Sequence, residues 1–392
     1  MDEIRSEKVL KQMQALPLDM KEAISRNRIF EWVEAFGVSN VVVSFSGGKD
    51  STVLLHMARK YFPSIRAVFS NTGLEYPEIQ SFVKTFDNVD IVTPPMNFAQ
   101  VITEYGYPLV SKEIAAAIHY ARRIVPEGEH ESRGYRATVG YRKQFSSAHW
   151  TKEDGTVERS QYQKANWLPM VQLPILISEY CCYKMKKSPI KQYISEHQVY
   201  PMLGTLAEES RLRKQSWIKD GCNIYEGRNK ESKPLSIWTE QDILQYIVLN
   251  DLEISSVYGK VVGADRHGMN WPPKNENGEI TRRLRCTGCD RTGCIFCAFG
   301  LHLEKGETRF QRLARTHPRQ YEYCIGGGSG STTRTMTRRH RRRTETGRTG
   351  TRSRYGRGAQ RDLEWEKSLI CATKSTERAS FGMSEERSVR DK

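Results

Sequence analysis

No apolar run in the 392 residues reaches the length needed to cross a bilayer, which argues against a membrane helix. The opening stretch MDEIRSEKVLKQMQ has no apolar centre of the kind a secretory leader needs. The expectation is a soluble, cytoplasmic chain with no membrane partner. No internal repeat is present, which excludes a solenoid or propeller. Acidic charge is in short supply: 46 Asp and Glu stand against 61 Lys and Arg, for a net charge of +15. The excess is unevenly spread, because residues 331–361 hold eleven Arg and one Glu. The remainder is mildly basic, as suits a protein that handles phosphorylated or nucleic-acid ligands. Hydrophobic residues make up only 38%, yet over this length they suffice for one large α/β core with additions, or for two domains. Nine cysteines in a cytoplasmic chain point to metal or redox chemistry rather than to a disulfide framework.

Periodicity organises the front of the chain. Residues 1–37 read as two helices, the second starting near Asp19 with Ile24, Ile29, Phe30, Trp32, Val33 and Phe36 at helical spacing. Then follow a strand at Asn40–Ser44, a helix at Lys49–Tyr61, a strand at Arg66–Ser70, a helix at Glu78–Phe86 and a short strand at Asp90–Val92. This β-α-β-α-β order predicts an α/β fold, a parallel twisted sheet with flanking helices and right-handed crossovers. Residues 125–168 are polar and lack clear periodicity, so they read as an inserted loop or lid. Lys184–His197 reads as a helix and Val199–Thr205 as carrying a strand. Thr239 with Asp242 three residues on forms a weak capping box before an apolar helix. Residues 258–285 read as a Gly/Pro/Asn-containing loop that leads into a cysteine-rich region. The expected divisions are 1–37, N-terminal helices; 38–257, the α/β domain with its insertion at 125–168; 258–325, the cysteine region; and 326–392, a low-complexity basic tail.

The junction SFSGGKDSTVLLH is the most informative stretch. A buried strand, Val41–Val43, runs through Ser44 and Phe45 into two glycines and then into an apolar helix. A helix N-terminus has unpaired N–H groups and a partial positive charge. Glycines let the backbone close on an anion, and hydroxyls add donors. Such a junction lies where open α/β sheets bind ligands.

SFSGGKDS resembles the pyrophosphate loop of the adenine-nucleotide α-hydrolase superfamily. FSNTGLEYPE, CCYKMKKSPI, GTLAEESRLR and KPLSIWTEQDILQYI resemble, in the same order, segments of the phosphoadenosine phosphosulfate (PAPS) reductase family. The resemblance spans about residues 40–325 and implies a Rossmann-like sheet that binds ATP, PAPS or adenylylsulfate, with Mg2+ as a further candidate. It implies that Ser44, Ser46, Gly47, Gly48 and Ser51 cradle phosphate or sulfate. Asp50 would orient the loop and Lys49 would offer charge. Asn71, Thr72 and Gly73 would lie near the adenosine, while Glu208, Ser210, Arg211 and Arg213 would act from the opposite wall. Lys49, Asp50 and Arg211 are the catalytic candidates. Leu206 stands where the family often has arginine. The Glu-Cys-Gly-Leu-His-type segment that carries the nucleophile of sulfonucleotide reductases is missing. That absence turns the expectation away from PAPS reduction itself, and the resemblance implies sulfur transfer or reduction, or chemistry at the α-phosphate of ATP, with a sulfur donor or redox protein as partner.

RCTGCDRTGCIFC places Cys286, Cys289, Cys294 and Cys297 in two C-x2-C pairs. Thiolates at that spacing share a metal, and zinc and iron–sulfur clusters both accept four. The resemblance adds Cys181 and Cys182, since adenylylsulfate reductases hold a 4Fe–4S cluster with a Cys-Cys pair and a later C-x2-C pair. It favours 4Fe–4S, with zinc as the alternative, and Cys294 and Cys297 as the later pair, leaving Cys286 and Cys289 as alternative ligands or a second small site. Adjacent Lys184, Lys186 and Arg291 read either as charges that tune the cluster or as ordinary surface residues. Cys222 and His56 read as packed structural residues, and His302 as a residue that could approach the metal.

From Gly326 the style of the chain changes. The Arg/Gly/Thr-rich run cannot bury a core and reads as disordered. One reading is a nucleic-acid arm. Another is an out-of-frame translation, because codons can be chosen for residues 362–383 whose shifted frame gives a peptide with apolar residues at helical spacing. A nucleic-acid-binding protein with a zinc knuckle and an Arg-rich tail is the alternative to the enzyme.

Overall fold

A computed structural model describes residues 5–124, 133–145, 150–151, 157–158, 163–227, 229–265, 269–280, 283–304 and 306–324. The basic tail expected over 326–392, and parts of the insertion expected over 125–168, lie outside the described residues. The described residues divide into two compact units: those within Met1–Phe98 and Tyr183–Cys294, and those within Ala99–Cys182 and from Ile295 onward.

The first unit begins with α1 (Glu7–Gln14) and α2 (Leu18–Phe36), as the periodicity predicts. Next come β1 (Val41–Ser44), α3 (Lys49–Tyr61), β2 (Arg66–Ser70), α4 (Pro77–Val83) and β3 (Val89–Val92). The three valines of β1 are β-branched, suit a strand and are fully buried. Pro77 opens α4, where its missing N–H costs nothing. After the other unit the chain returns through a π-helical turn, Tyr183–Lys187, into α5 (Ser188–His197). Then come β4 (Tyr200–Leu203), α6 (Arg211–Asp220), β5 (Asn223–Ile224), β6 (Glu231–Ser232) and α7 (Glu240–Leu249).

The six strands form one sheet in the order β3-β2-β1-β4-β6-β5. All neighbours are parallel except β5 with β6. Val42 pairs with Arg66 on one side and with Pro201 on the other. Strand order runs outward from β1 through β2 to β3, then resumes at β4 on the opposite side of β1. That reversal makes a switch point between β1 and β4, and open α/β sheets offer a crevice at such points beyond the strands' carboxyl ends. On one face, Val42 and Val68 pack with Tyr193 of α5 and Val199. Trp32 and Ile29 of α2 are fully buried, and α2 contacts both β1 and α3.

Residues 258–285, read above as a loop, contain a second, antiparallel sheet. It consists of β7 (Val261–Ala264), β8 (Asn270–Trp271) and β9 (Leu284–Cys286), in the order β8-β7-β9. Its strands are only two to four residues long, so no alternation of useful length marks them.

In the second unit, helices Phe98–Tyr105 and Lys112–Arg122 precede a helix at Arg133–Phe145, inside the stretch expected to be a loop. Its polar sequence hides the helix, which tertiary contacts hold. Arg142 donates to the carbonyls of Ala121 and Arg123, and Tyr141 stacks on Tyr120. Arg122 donates to four carbonyls, those of Met170, Val171, Leu173 and Ile175, and so ties that segment to its helix. A short parallel pair, Leu109–Val110 with Ala298–Phe299, joins its two chain segments.

Candidate anion-binding site

The loops that follow β1 and β4 meet at the switch point. Between them is a cavity of about 220 Å³ lined by Ser46, Gly48, Lys49, Asp50, Ser51, Gly204, Thr205, Glu209, Arg213, Tyr258, Arg291 and Thr292. Two glycines let the loops close. Gly47 has φ +69°, and a Cβ there would meet methyls of Ile79 and Val83 at 2.8 Å. A Cβ on Gly204 would come within 3.0 Å of the backbone of Asp50 and Ser51, at the start of α3.

The loop's own donors are engaged with hydroxyls. Ser46 N–H donates to Ser51 Oγ at 3.1 Å, and Gly48 N–H to Ser46 Oγ at 3.3 Å. Lys49 N–H, in the first turn of α3, donates to the Tyr258 hydroxyl at 3.1 Å. Ser51 Oγ also donates to Gly48 O at 2.9 Å.

Charge is concentrated here. Lys49 Nζ lies 3.2 Å from Glu240 Oε1 and 3.7 Å from Asp50 Oδ1, and donates to Asp290 O at 3.2 Å. Burial pushes the Lys49 ammonium down, but Asp50, Glu240 and Tyr258 together outweigh it, so it titrates above the ordinary lysine value. Burial raises the Asp50 carboxyl, against the pull of Lys49. Arg213 pairs with Glu209, and its guanidinium is lowered first by burial and then by Arg291. Three cations and two carboxylates thus line a cavity at a helix N-terminus, an arrangement that receives a compact anion.

The other expected residues take different places. Ser44 lines a separate groove of about 880 Å³ on the sheet, with Lys186, Lys187, Lys191 and Lys230. Asn71, Thr72 and Gly73 follow β2 as a self-closed turn: Gly73 N–H donates to Asn71 Oδ1 at 3.1 Å, and Thr72 donates through its N–H and hydroxyl to the buried Glu75. Glu75 in turn meets Lys186 Nζ at 3.2 Å. Glu208 accepts from the N–H of Glu240. Ser210 caps α6 by accepting from Arg213 N–H at 3.3 Å. Arg211 is exposed and does not line the cavity. Leu206 is buried.

Tyr258, Glu240, Glu209 and Thr292 escaped the sequence reading, and Arg291 was read there as a cluster-tuning charge. Arg291 and Thr292 sit between the cysteine pairs, so position in an unusual loop was their only signal. Tyr258 had none.

The six cysteines of interest divide between the units, with Cys286, Cys289 and Cys294 in the first and Cys181, Cys182 and Cys297 in the second. Burial pushes the Cys286 thiol up to about 11 and also raises Cys297, on which Cys182 acts as a further upward influence. Among the described residues no three His, Cys, Asp or Glu side chains gather closely enough to hold a metal. No chemical step is derived through a cluster or zinc. His302 packs against Trp167, with ring centroids 5.5 Å apart, and Cys222 is buried. Among the described residues no helix is long and apolar enough to cross a membrane.

A parallel sheet with a glycine-lined anion cavity at its switch point defines a nucleotide-binding α/β domain. The chain belongs to the phosphoadenosine phosphosulfate reductase domain family, which it matches over residues 40–176 and 151–299, more than half its length. It is 23% identical over 251 residues to an uncharacterized protein of Methanocaldococcus jannaschii, covering 61% of this chain and 43% of that one. The chain thus spans less than half the length of that relative. It is also 23% identical over 275 residues to sulfate adenylyltransferase subunit 2 of Shewanella loihica, covering 64% of this chain and 74% of that protein. Among solved structures it is similar to the PAPS reductase of Candida auris in its phosphate complex, at 12% identity and a TM-score of 0.34, covering 67% of this chain and 97% of that one.

Proposed function

We propose that the protein is an enzyme that binds ATP or a sulfonucleotide and acts at its phosphoryl or sulfuryl centre. The carrying observation is the cavity at the β1/β4 switch point, where Lys49, Arg213 and Arg291 stand around the first turn of α3. At about 220 Å³ it suits the anionic end of a nucleotide rather than the whole molecule, since pockets that enclose entire organic ligands run from roughly 300 Å³ upward. The base and ribose would extend outside it. In-line attack at a phosphoryl or sulfuryl centre builds charge on the equatorial and leaving oxygens. Fixed cations and loop N–H groups stabilise that charge without reorganising.

A turnover assay with ATP, PAPS or adenylylsulfate, with a dithiol present as the two-electron donor that sulfite release requires, tests this reading. Release of pyrophosphate, AMP or sulfite from one of the three supports it, and Arg213→Ala slows that release. Three intact substrates after prolonged incubation contradict it. We also propose, from the cysteine spacing alone, that the chain holds an iron–sulfur centre. Anaerobically purified protein then absorbs broadly near ~400 nm and contains iron, as thiolate-held clusters do. A colourless preparation with stoichiometric zinc favours the other metal.

A further inference from the structure

Tyr258 stands on a backbone donor in the first turn of α3, where a helix N-terminus favours an anion. Its hydroxyl accepts the Lys49 N–H at 3.1 Å and lies 2.7 Å from Thr292 Oγ1. The hydroxyls on the other two loop donors, those of Ser46 and Ser51, belong to the loop itself and leave by rotation about one side-chain bond. Tyr258 comes from 209 residues away, and its oxygen is fixed to a rigid ring that is 2% exposed. Burial raises its phenol, so the group on the helix N-terminus is a neutral hydroxyl. A neutral oxygen is a weaker partner for that donor than an anion, because hydrogen bonds to ionised acceptors are roughly twice as strong and the helix dipole adds to them.

The backbone around Tyr258 is tied to the cysteine segment. Gly288 N–H donates to Tyr258 O at 2.8 Å, and Cys289 N–H donates to Val257 O at 3.0 Å. Three residues further on, Arg291 and Thr292 enter the cavity wall, while the Asp290 carbonyl receives the Lys49 ammonium. Tyr258 and residues 288–292 are therefore one cap, joined by hydrogen bonds and seated on the anion site.

Resting on the reading of this cavity as the phosphate or sulfate site, we propose that Tyr258 is a specificity-determining latch: its hydroxyl holds the Lys49 N–H as a stand-in for a phosphoryl or sulfuryl oxygen, an entering anion expels it, and the released cap brings Arg291 onto the ligand. The cavity then selects for anions strong enough to displace the hydroxyl. Pyrophosphoryl groups meet that condition, and neutral oxygens do not.

Calorimetric titration of the full chain with inorganic pyrophosphate tests the latch. Tyr258→Phe removes the competitor and keeps the ring, so its Kd falls about three- to tenfold, the worth of one neutral hydrogen bond that the ligand no longer has to break. Thr292→Val removes the hydroxyl's other anchor and shifts Kd the same way by a smaller factor. Arg291→Ala weakens binding and flattens its salt dependence. Thermal unfolding of each variant confirms that it is folded. Equal or weaker binding by folded Tyr258→Phe, beside measurable binding by the wild type, overturns the latch and leaves the anion site standing. Absence of pyrophosphate binding by the wild type and all variants overturns both.

Discussion

Gly47 shows how one residue fixes the loop. It needs a left-handed backbone, and its missing side chain makes room for Ile79 and Val83 of α4. Gly47→Ala adds the left-handed penalty to the overlap with two methyls, so stability drops by about 2–4 kcal/mol in denaturant unfolding. His56 offers a residue-scale test of pH dependence. Its Nδ1 lies 2.9 Å from the Tyr246 hydroxyl, and its pKa is lowered from 6.5, by burial first and then by Lys60. The folded state thus disfavours the protonated ring more than the unfolded state does. The stability contributed by neutral His56 is present above pH 6.5 and is lost as pH falls below it. The melting temperature of the wild type therefore drops more steeply on acidification from pH 7 than that of His56→Gln, and parallel curves contradict this. Ser46, Gly47, Gly48 and Ser51 were legible in the sequence because local chain chemistry, glycine beside hydroxyls at a strand–helix junction, is what places them. Tyr258 and Glu240 were not, because their roles come from approaching Lys49 from distant chain segments.

At the scale of elements, α7 combines a local signal with a hidden one. Its capping box was read from Thr239 and Asp242, and both hydrogen bonds are present: Thr239 N–H donates to Asp242 Oδ2 at 2.6 Å, and Asp242 N–H donates to Thr239 Oγ1 at 3.3 Å. The same Asp242 oxygen receives Lys21 Nζ of α2 at 2.7 Å, from 221 residues away, and that lysine side chain is 2% exposed. A cap can be inferred from four consecutive residues, but a buried ion pair between two helices has no local trace. Removing one partner leaves an uncompensated buried charge, so Lys21→Met costs about 3–5 kcal/mol, against about 1 kcal/mol for Thr239→Ala, in urea unfolding. Equal losses would show that the pair between α2 and α7 adds nothing beyond the cap. The antiparallel strands β7–β9 and the helix at Arg133–Phe145 were missed for the same reason. Long-range pairing and arginine–carbonyl bonds hold them, and neither leaves a hydrophobic period.

Across the molecule, the order of strands and helices made the parallel sheet legible, and collinear motifs made the family legible. Two compact units were harder to see, since each is assembled from two separated stretches of chain. Cysteine spacing likewise ran ahead of placement: six thiols suggest a metal centre, yet they fall three to each unit. The sheet's reversal of order at β1 and β4 carries the functional reading, because it brings two glycine-bearing loops and three cations to one crevice. Titrating the protein calorimetrically with ATP, PAPS and adenylylsulfate tests that reading most directly. The account predicts saturable heat with one binding event per chain for at least one of them, competition by pyrophosphate, and loss of that heat in a folded Gly47→Asp variant. No heat with any of the three, or undiminished binding in that variant, contradicts it.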